Sequence, residues 1–196
     1  NICVGAQNIH SEKNGAYTGE ISALMAKDAG CTHALIGHSE RRHLFGEIDS
    51  FINAKMKTAL SIDLKPIFCI GETLNEREEG KTEYVIKNQL KNGLQGIENN
   101  RIEELVIAYE PVWAIGTGKT ASPAQANEVH SFIRGFLTDT YGKDVAGSVY
   151  IQYGGSVKPE NTRELIAQPE IDGLLVGGAS IKLESFLKII DAASIQ

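Results

Sequence analysis

No apolar stretch in this 196-residue chain approaches the ~20 residues needed to cross a bilayer. No N-terminal segment reads as a secretory leader. Cysteine is scarce: Cys3, Cys31 and Cys69 are an odd number without metal-ligand spacing. They are expected to be small buried side chains in a reducing, cytoplasmic compartment, not a disulfide framework. Histidines and acids form no metal-ligand cluster either, so no metal is expected. Clustered positive charge is missing as well. Lys and Arg are scattered through a chain of net charge −6, which makes nucleic acid and anionic membranes poor partners. An anionic substrate would have to be held by local backbone N–H groups. What is present is enough apolar residue, 42%, to exclude disorder and build one domain's core.

The chain alternates short apolar runs with amphipathic helical stretches. Strands are expected at Ile2–Ala6, Ala34–Gly37, Pro66–Ile70, Leu105–Tyr109, Val149–Tyr153 and Gly173–Val176. One helix should place Ile21, Leu24, Met25 and Ala29 on a single face and stop at Gly30. Another starts near Asp49 with Ile52, Met56, Ala59 and Leu60 inward, and a third runs near Glu83–Leu94. The clearest start is Ser122 as N-cap, Pro123 in the first turn and Gln125 completing a capping box. Shorter helices follow near Pro159–Ala167 and Glu184–Ala192. The repeat is roughly 34 residues, which implies parallel strands covered by helices. A doubly wound sheet and a closed barrel both satisfy that alternation. The chemistry favours the barrel, because candidate groups follow the C-terminal ends of several different strands.

The stretch from Leu105 to Thr120 organises the rest. A buried strand ends in Glu110, Pro111 stops it, and Val112-Trp113-Ala114-Ile115 lead to Gly116-Thr117-Gly118-Lys119-Thr120. A connection with an apolar centre is expected to bury something. One reading is a lid that closes over Glu110, excludes water and raises its pKa toward a general base's range; the other is a permanently packed loop. His38 precedes a helical turn whose dipole should keep the ring neutral, able to donate to a carbonyl. Alternatively it is a structural histidine, as His10, His33, His43 and His130 are read. Glu40 is a second carboxylate, either a proton shuttle or a partner of Arg41 or Arg42. Gly154-Gly155-Ser156 and Gly177-Gly178 follow the last two strands, where backbone can approach a phosphate. Ile115 and Leu175 are candidate walls. A base, an electrophile and a phosphate clamp suggest proton abstraction beside the carbonyl of a small phosphorylated compound.

Four segments carry a resemblance: Ile36–Arg42, Ala108–Thr120, Tyr153–Val157 and Leu175–Ser180. Together they are closely similar to the triosephosphate isomerase family, in order and over essentially the whole chain. The resemblance implies a (β/α)8 barrel, of which residues 1–196 form a single domain of six βα units lacking the first two. It implies interconversion of dihydroxyacetone phosphate and D-glyceraldehyde 3-phosphate without a cofactor, with Glu110 as base, His38 as electrophile and Glu40 nearby. Gly116, Ser156, Gly177 and Gly178 would bind phosphate, with Leu175 as a wall. Pro111–Trp113 and Lys119–Ala121 would be the lid hinges, latched by Tyr153 and Ser156. It also implies a homodimer through residues 8–19, whose Tyr17-Thr18 tip enters the partner's site. The family carries an Asn and an essential Lys at the end of its first strand. No lysine here matches that position, since Lys13, Lys119, Lys158 and Lys182 belong to other motifs. Other readings are a different phosphate-gripping barrel, or an inactive fragment retaining only phosphate binding or self-association. The chain made alone is expected not to reach a normal turnover rate; a monodisperse, fully active preparation of only these residues would refute that.

Overall fold

The computed structural model describes residues 2–116 and 119–194. The first half holds β1 (Gly5–Ala6), α1 (Ala23–Asp28), β2 (His33–Ile36), α2 (Ser39–His43), α3 (Asp49–Leu60), β3 (Lys65–Ile70), α4 (Leu74–Glu78), α5 (Thr82–Gly93) and α6 (Asn99–Ile102). The second holds β4 (Val106–Tyr109), α7 (Pro123–Tyr141), α8 (Lys143–Ser148), β5 (Tyr150–Tyr153), α9 (Pro159–Ile166), β6 (Gly173–Leu174) and α10 (Leu183–Ala193). Strands hydrogen-bond in chain order, β1-β2-β3-β4-β5-β6, and each pair is parallel. A doubly wound sheet reverses its order at a switch point. Without a reversal, right-handed crossovers put the helices on one side, and the sheet curls into a half-barrel. This is the α/β barrel architecture expected from the sequence.

The register explains the core. Ile36, Phe68, Ile107 and Ile151 lie side by side across four strands, and all are fully buried. Each such side chain contributes about 1.5–3 kcal/mol of transfer free energy. Phe68 packs against Gly93 of α5, where an added Cβ would sit 2.2 Å from the ring. The alternate row, Leu35, Ile67 and Val106, lines the concave face. Glu110 continues the β4 alternation onto that face. Helix starts follow local chemistry: Ser122 accepts from Gln125 N and Gln125 answers to Ser122 N, as the capping box predicts.

Several elements differ from expectation. The first strand shrinks to two residues, and Ile2 and Val4 are exposed. The face carrying Ile21, Leu24 and Met25 also turns outward. Helix α1 instead packs through Ala23 and Ala26, whose small side chains allow close approach to the core. Helices α4, α6 and α8 have only 4–6 residues each, too few to show a period. Yet α4 carries a complete capping box from Thr73 and Glu76. Among the described residues, no helix is long and apolar enough to cross a membrane.

The end of β3 is built for close approach. Gln89 of α5 binds Gly71 at both N–H (2.8 Å) and carbonyl (3.1 Å). A Cβ on Gly71 would lie 1.8 Å from the carbonyl oxygen of Glu110, whose own N–H is tied to Ile70 O. Gly71→Ala is therefore expected to cost at least about 1–3 kcal/mol, read as a lowered urea midpoint; an unchanged midpoint would show that the strand ends separate freely.

Candidate active site

At the C-terminal ends of the strands the concave face opens into a cleft of about 950 Å³. His38, Glu110, Ile115, Gly116, Gly154, Gly155, Ser156, Leu175, Gly177 and Gly178 all line it. The main-chain ladder continues past the strands and carries these groups. Glu110 N–H donates to Ile70 O at 2.7 Å, Gly154 N–H to Tyr109 O at 2.7 Å, and Leu175 N–H to Tyr153 O at 2.9 Å. Residues distant in sequence are thus fixed by consecutive strands of one sheet.

Glu110 is 2% exposed. One oxygen lies 3.0 Å from His38 Nε2, and the other accepts from the Ser39 N–H at 3.1 Å. His38 is the N-cap of α2, and its Nδ1 accepts from the Glu40 N–H at 3.3 Å. The cap assigns the ring proton of a neutral imidazole to Nε2, so that Nε2–H faces Glu110. A helix dipole alone predicts a depressed histidine, and here the structure corrects the expectation. The hydrogen bond to Glu110 raises the His38 pKa above the ordinary histidine value, against the pull of burial, with the Glu110 and Glu40 charges adding to the rise.

Glu40 is exposed and does not line the cleft. The pair expected with Arg41 or Arg42 does not form. Arg41 instead binds buried Glu47 at 2.8 Å, and Arg42 binds half-buried Asp49 at 2.6 Å. Cys69 is buried beneath the site; burial and the Glu110 charge push its thiol pKa well up, so it remains a protonated, weakly nucleophilic side chain. Cys3 is exposed, unlike the buried cysteine expected. Of the other histidines, His10 stacks on Tyr17 at 4.1 Å, buried His130 hydrogen-bonds to Glu170 O, and His33 lines the cleft.

The lid stretch divides into two parts. Pro111 and Ala114 are buried, and Val112–Ala114 forms a 3-10 turn. This turn is anchored on Glu72, which sequence reasoning passed over. Glu72 O accepts from Val112 N–H at 3.0 Å, while its carboxylate accepts from Trp113 Nε1, Tyr109 OH and Arg77 Nη1 at 3.0–3.1 Å. The available signal was its position: Glu72 follows the end of β3 much as Glu110 follows β4. Ile115 and Gly116 turn into the cleft; Lys119 and Thr120 are exposed and do not line it. Thr117 and Gly118 lie outside the described residues. Tyr153 OH is buried under Gly155, and burial pushes its pKa up to about 12. It makes no hydrogen bond of good geometry among the described residues, and the Ala121 backbone at the far end of the lid is the polar group facing it.

The family model described as triosephosphate isomerase matches residues 1–193. The chain belongs to the triosephosphate isomerase family. It is 58% identical over 190 residues to the triosephosphate isomerase of Carboxydothermus hydrogenoformans, covering 97% of this chain and 76% of that protein. The enzyme from Dictyoglomus turgidum is 56% identical over 96% of this chain and 76% of its own length. That from Fusobacterium nucleatum is 53% identical over 99% and 77%. The chain thus spans about three quarters of the length of these relatives.

The pairing of His38 with Glu110 has a pH signature. A ring whose pKa rises on folding adds stability that is fully present below the ordinary histidine range and is lost as pH rises through the folded value. Glu110→Gln removes the acceptor charge. The His38 titration, followed by NMR, is expected to fall toward the ordinary value, and the stability it adds in acid to shrink. An unmoved titration would remove Glu110 as the cause.

Proposed function

We propose that this member of the triosephosphate isomerase family interconverts dihydroxyacetone phosphate and D-glyceraldehyde 3-phosphate by proton transfer through an enediolate. The reading rests on one observation above all: a buried carboxylate and an imidazole N–H face each other at 3.0 Å, in a cleft bounded by two glycine turns. Substrate entering between them replaces the His38–Glu110 hydrogen bond. Glu110 takes the proton from the carbon beside the carbonyl, which leaves an enediolate, and returns it to the neighbouring carbon. His38 Nε2–H donates to the carbonyl oxygen as negative charge develops there, gives it that proton and takes up the proton of the neighbouring hydroxyl, so that one oxygen gains what the other loses. Glu40 acts through its charge on His38. The backbone N–H groups of Gly116, Ser156, Gly177 and Gly178 bind the phosphate, which compensates for an acidic protein's overall field.

The lid, Pro111 to Thr120, closes from the Glu72-anchored turn. It brings Ile115 toward Leu175 and keeps water from an intermediate that could otherwise expel phosphate. The six βα units act as one domain. The reading includes a cytoplasmic enzyme and a homodimer through residues 8–19. That loop's base is tied down by Lys55 to Asn8 (2.8 Å) and Thr58 to Ser11 O (2.5 Å), while Tyr17 near its tip stays 44% exposed. Glu110→Asp shortens the base by one methylene. In a coupled assay, on the chain alone and with an added N-terminal segment from a relative, kcat is expected to fall by about a hundredfold while substrate still binds. Undiminished turnover would remove Glu110 as the base.

A further inference from the structure

We infer that Arg42 is the positioning residue that sets the His38–Glu110 geometry, by clamping the main chain around His38 and the end of β3 with one guanidinium. The inference rests on the reading of His38 and Glu110 as the reacting pair.

Arg42 grips His38 from both sides. Its backbone N–H donates to His38 O at 3.1 Å, and its Nε donates to Gly37 O, the carbonyl just before His38, at 2.8 Å. A third donor, Nη2, reaches Cys69 O in β3 at 3.1 Å. The next carbonyl along β3, that of Ile70, accepts from the Glu110 N–H at 2.7 Å. One side chain therefore ties the peptide of the electrophile to the strand that fixes the base. Nη1 is spent on Asp49 at the start of α3, at 2.6 Å, which orients the fork. The Arg42 side chain is only 10% exposed, so these charge-assisted bonds are little weakened by water.

The backbone is shaped to admit the clamp. Gly37 has φ +79°, and a Cβ there would lie 3.1 Å from Cys69 O and 3.2 Å from Arg42 Nη2. The left-handed turn and the missing side chain together leave room for the guanidinium between β2 and β3. No point charge can make these contacts. The three side-chain bonds need a planar donor fork, which lysine lacks.

Two variants on the full chain test the inference, Arg42→Gln and Arg42→Lys, with folding checked by circular dichroism and thermal melting. His38 is followed by long-range 1H–15N correlation across pH. The charged groups acting on its ring are Glu110 from the end of β4 and Glu40 from α2. Deleting a nearby positive charge would by itself raise the His38 titration. Loss of the Glu110 hydrogen bond lowers it, so the sign separates positioning from simple electrostatics. In Arg42→Gln the titration is expected to move down toward the ordinary histidine value, with kcat reduced roughly tenfold or more and KM within about twofold. Arg42→Lys is expected to show the same direction with a smaller loss. A folded variant of either kind with the parent's His38 titration overturns the inference, whatever its turnover. An upward shift overturns it equally. A changed His38 titration in a parent that shows no turnover even with the added N-terminal segment from a relative would instead retain Arg42 as the clamp and count against the isomerase reading.

Discussion

A carboxylate withdrawn from water must find donors, and Glu110 constrains much of what surrounds it. Its burial would be costly without compensating hydrogen bonds. One comes from the Ser39 N–H at the start of a helix, the other from the His38 ring. Both donors lie beyond β2, two strands away from β4. For them to reach Glu110, the sheet must curl and β3 must end early enough to pass beneath. Gly71 allows that passage because a backbone carbonyl occupies the space a side chain would need. The half-barrel and the site are thus parts of one geometric solution.

A second buried carboxylate repeats the logic for the turn that follows β4. Glu72 is fully buried and gathers indole, phenol and guanidinium donors on one oxygen. The Arg77 guanidinium also lies 4.9 Å from the centre of the Trp113 ring. The apolar turn Val112–Ala114 is therefore not loose. Its tryptophan is pinned by a polar hub under the sheet rim, and the cleft-facing residues begin only at Ile115. The front of the stretch is thus an anchor, while Ile115 and Gly116 face the cleft.

Features decided within a few residues were legible in the sequence. The start of α7 was clear because Ser122, Pro123 and Gln125 carry all of its chemistry locally. Glu110, His38 and the glycine turns could be placed because strand ends are marked by the apolar runs before them. Arg42 and Glu72 were opaque, because their meaning lies in partners 27 and 41 residues away. The upward push on the His38 pKa was opaque for the same reason. Its helix is local and visible, whereas Glu110 is not. The outward turn of Leu24 and Met25 shows that periodicity identifies a helical face without saying which face meets the core.

Sequential strand order has a temporal side. Ser39 and Glu110 are 71 residues apart in the chain, and every intervening strand must pair before they touch. Contacts of such separation form late, after loop-closure entropy has been overcome. A nascent or half-unfolded chain consequently has no assembled Glu110–His38 pair. Reactivity toward the triose is withheld until assembly is complete, so the architecture doubles as a built-in inspection step.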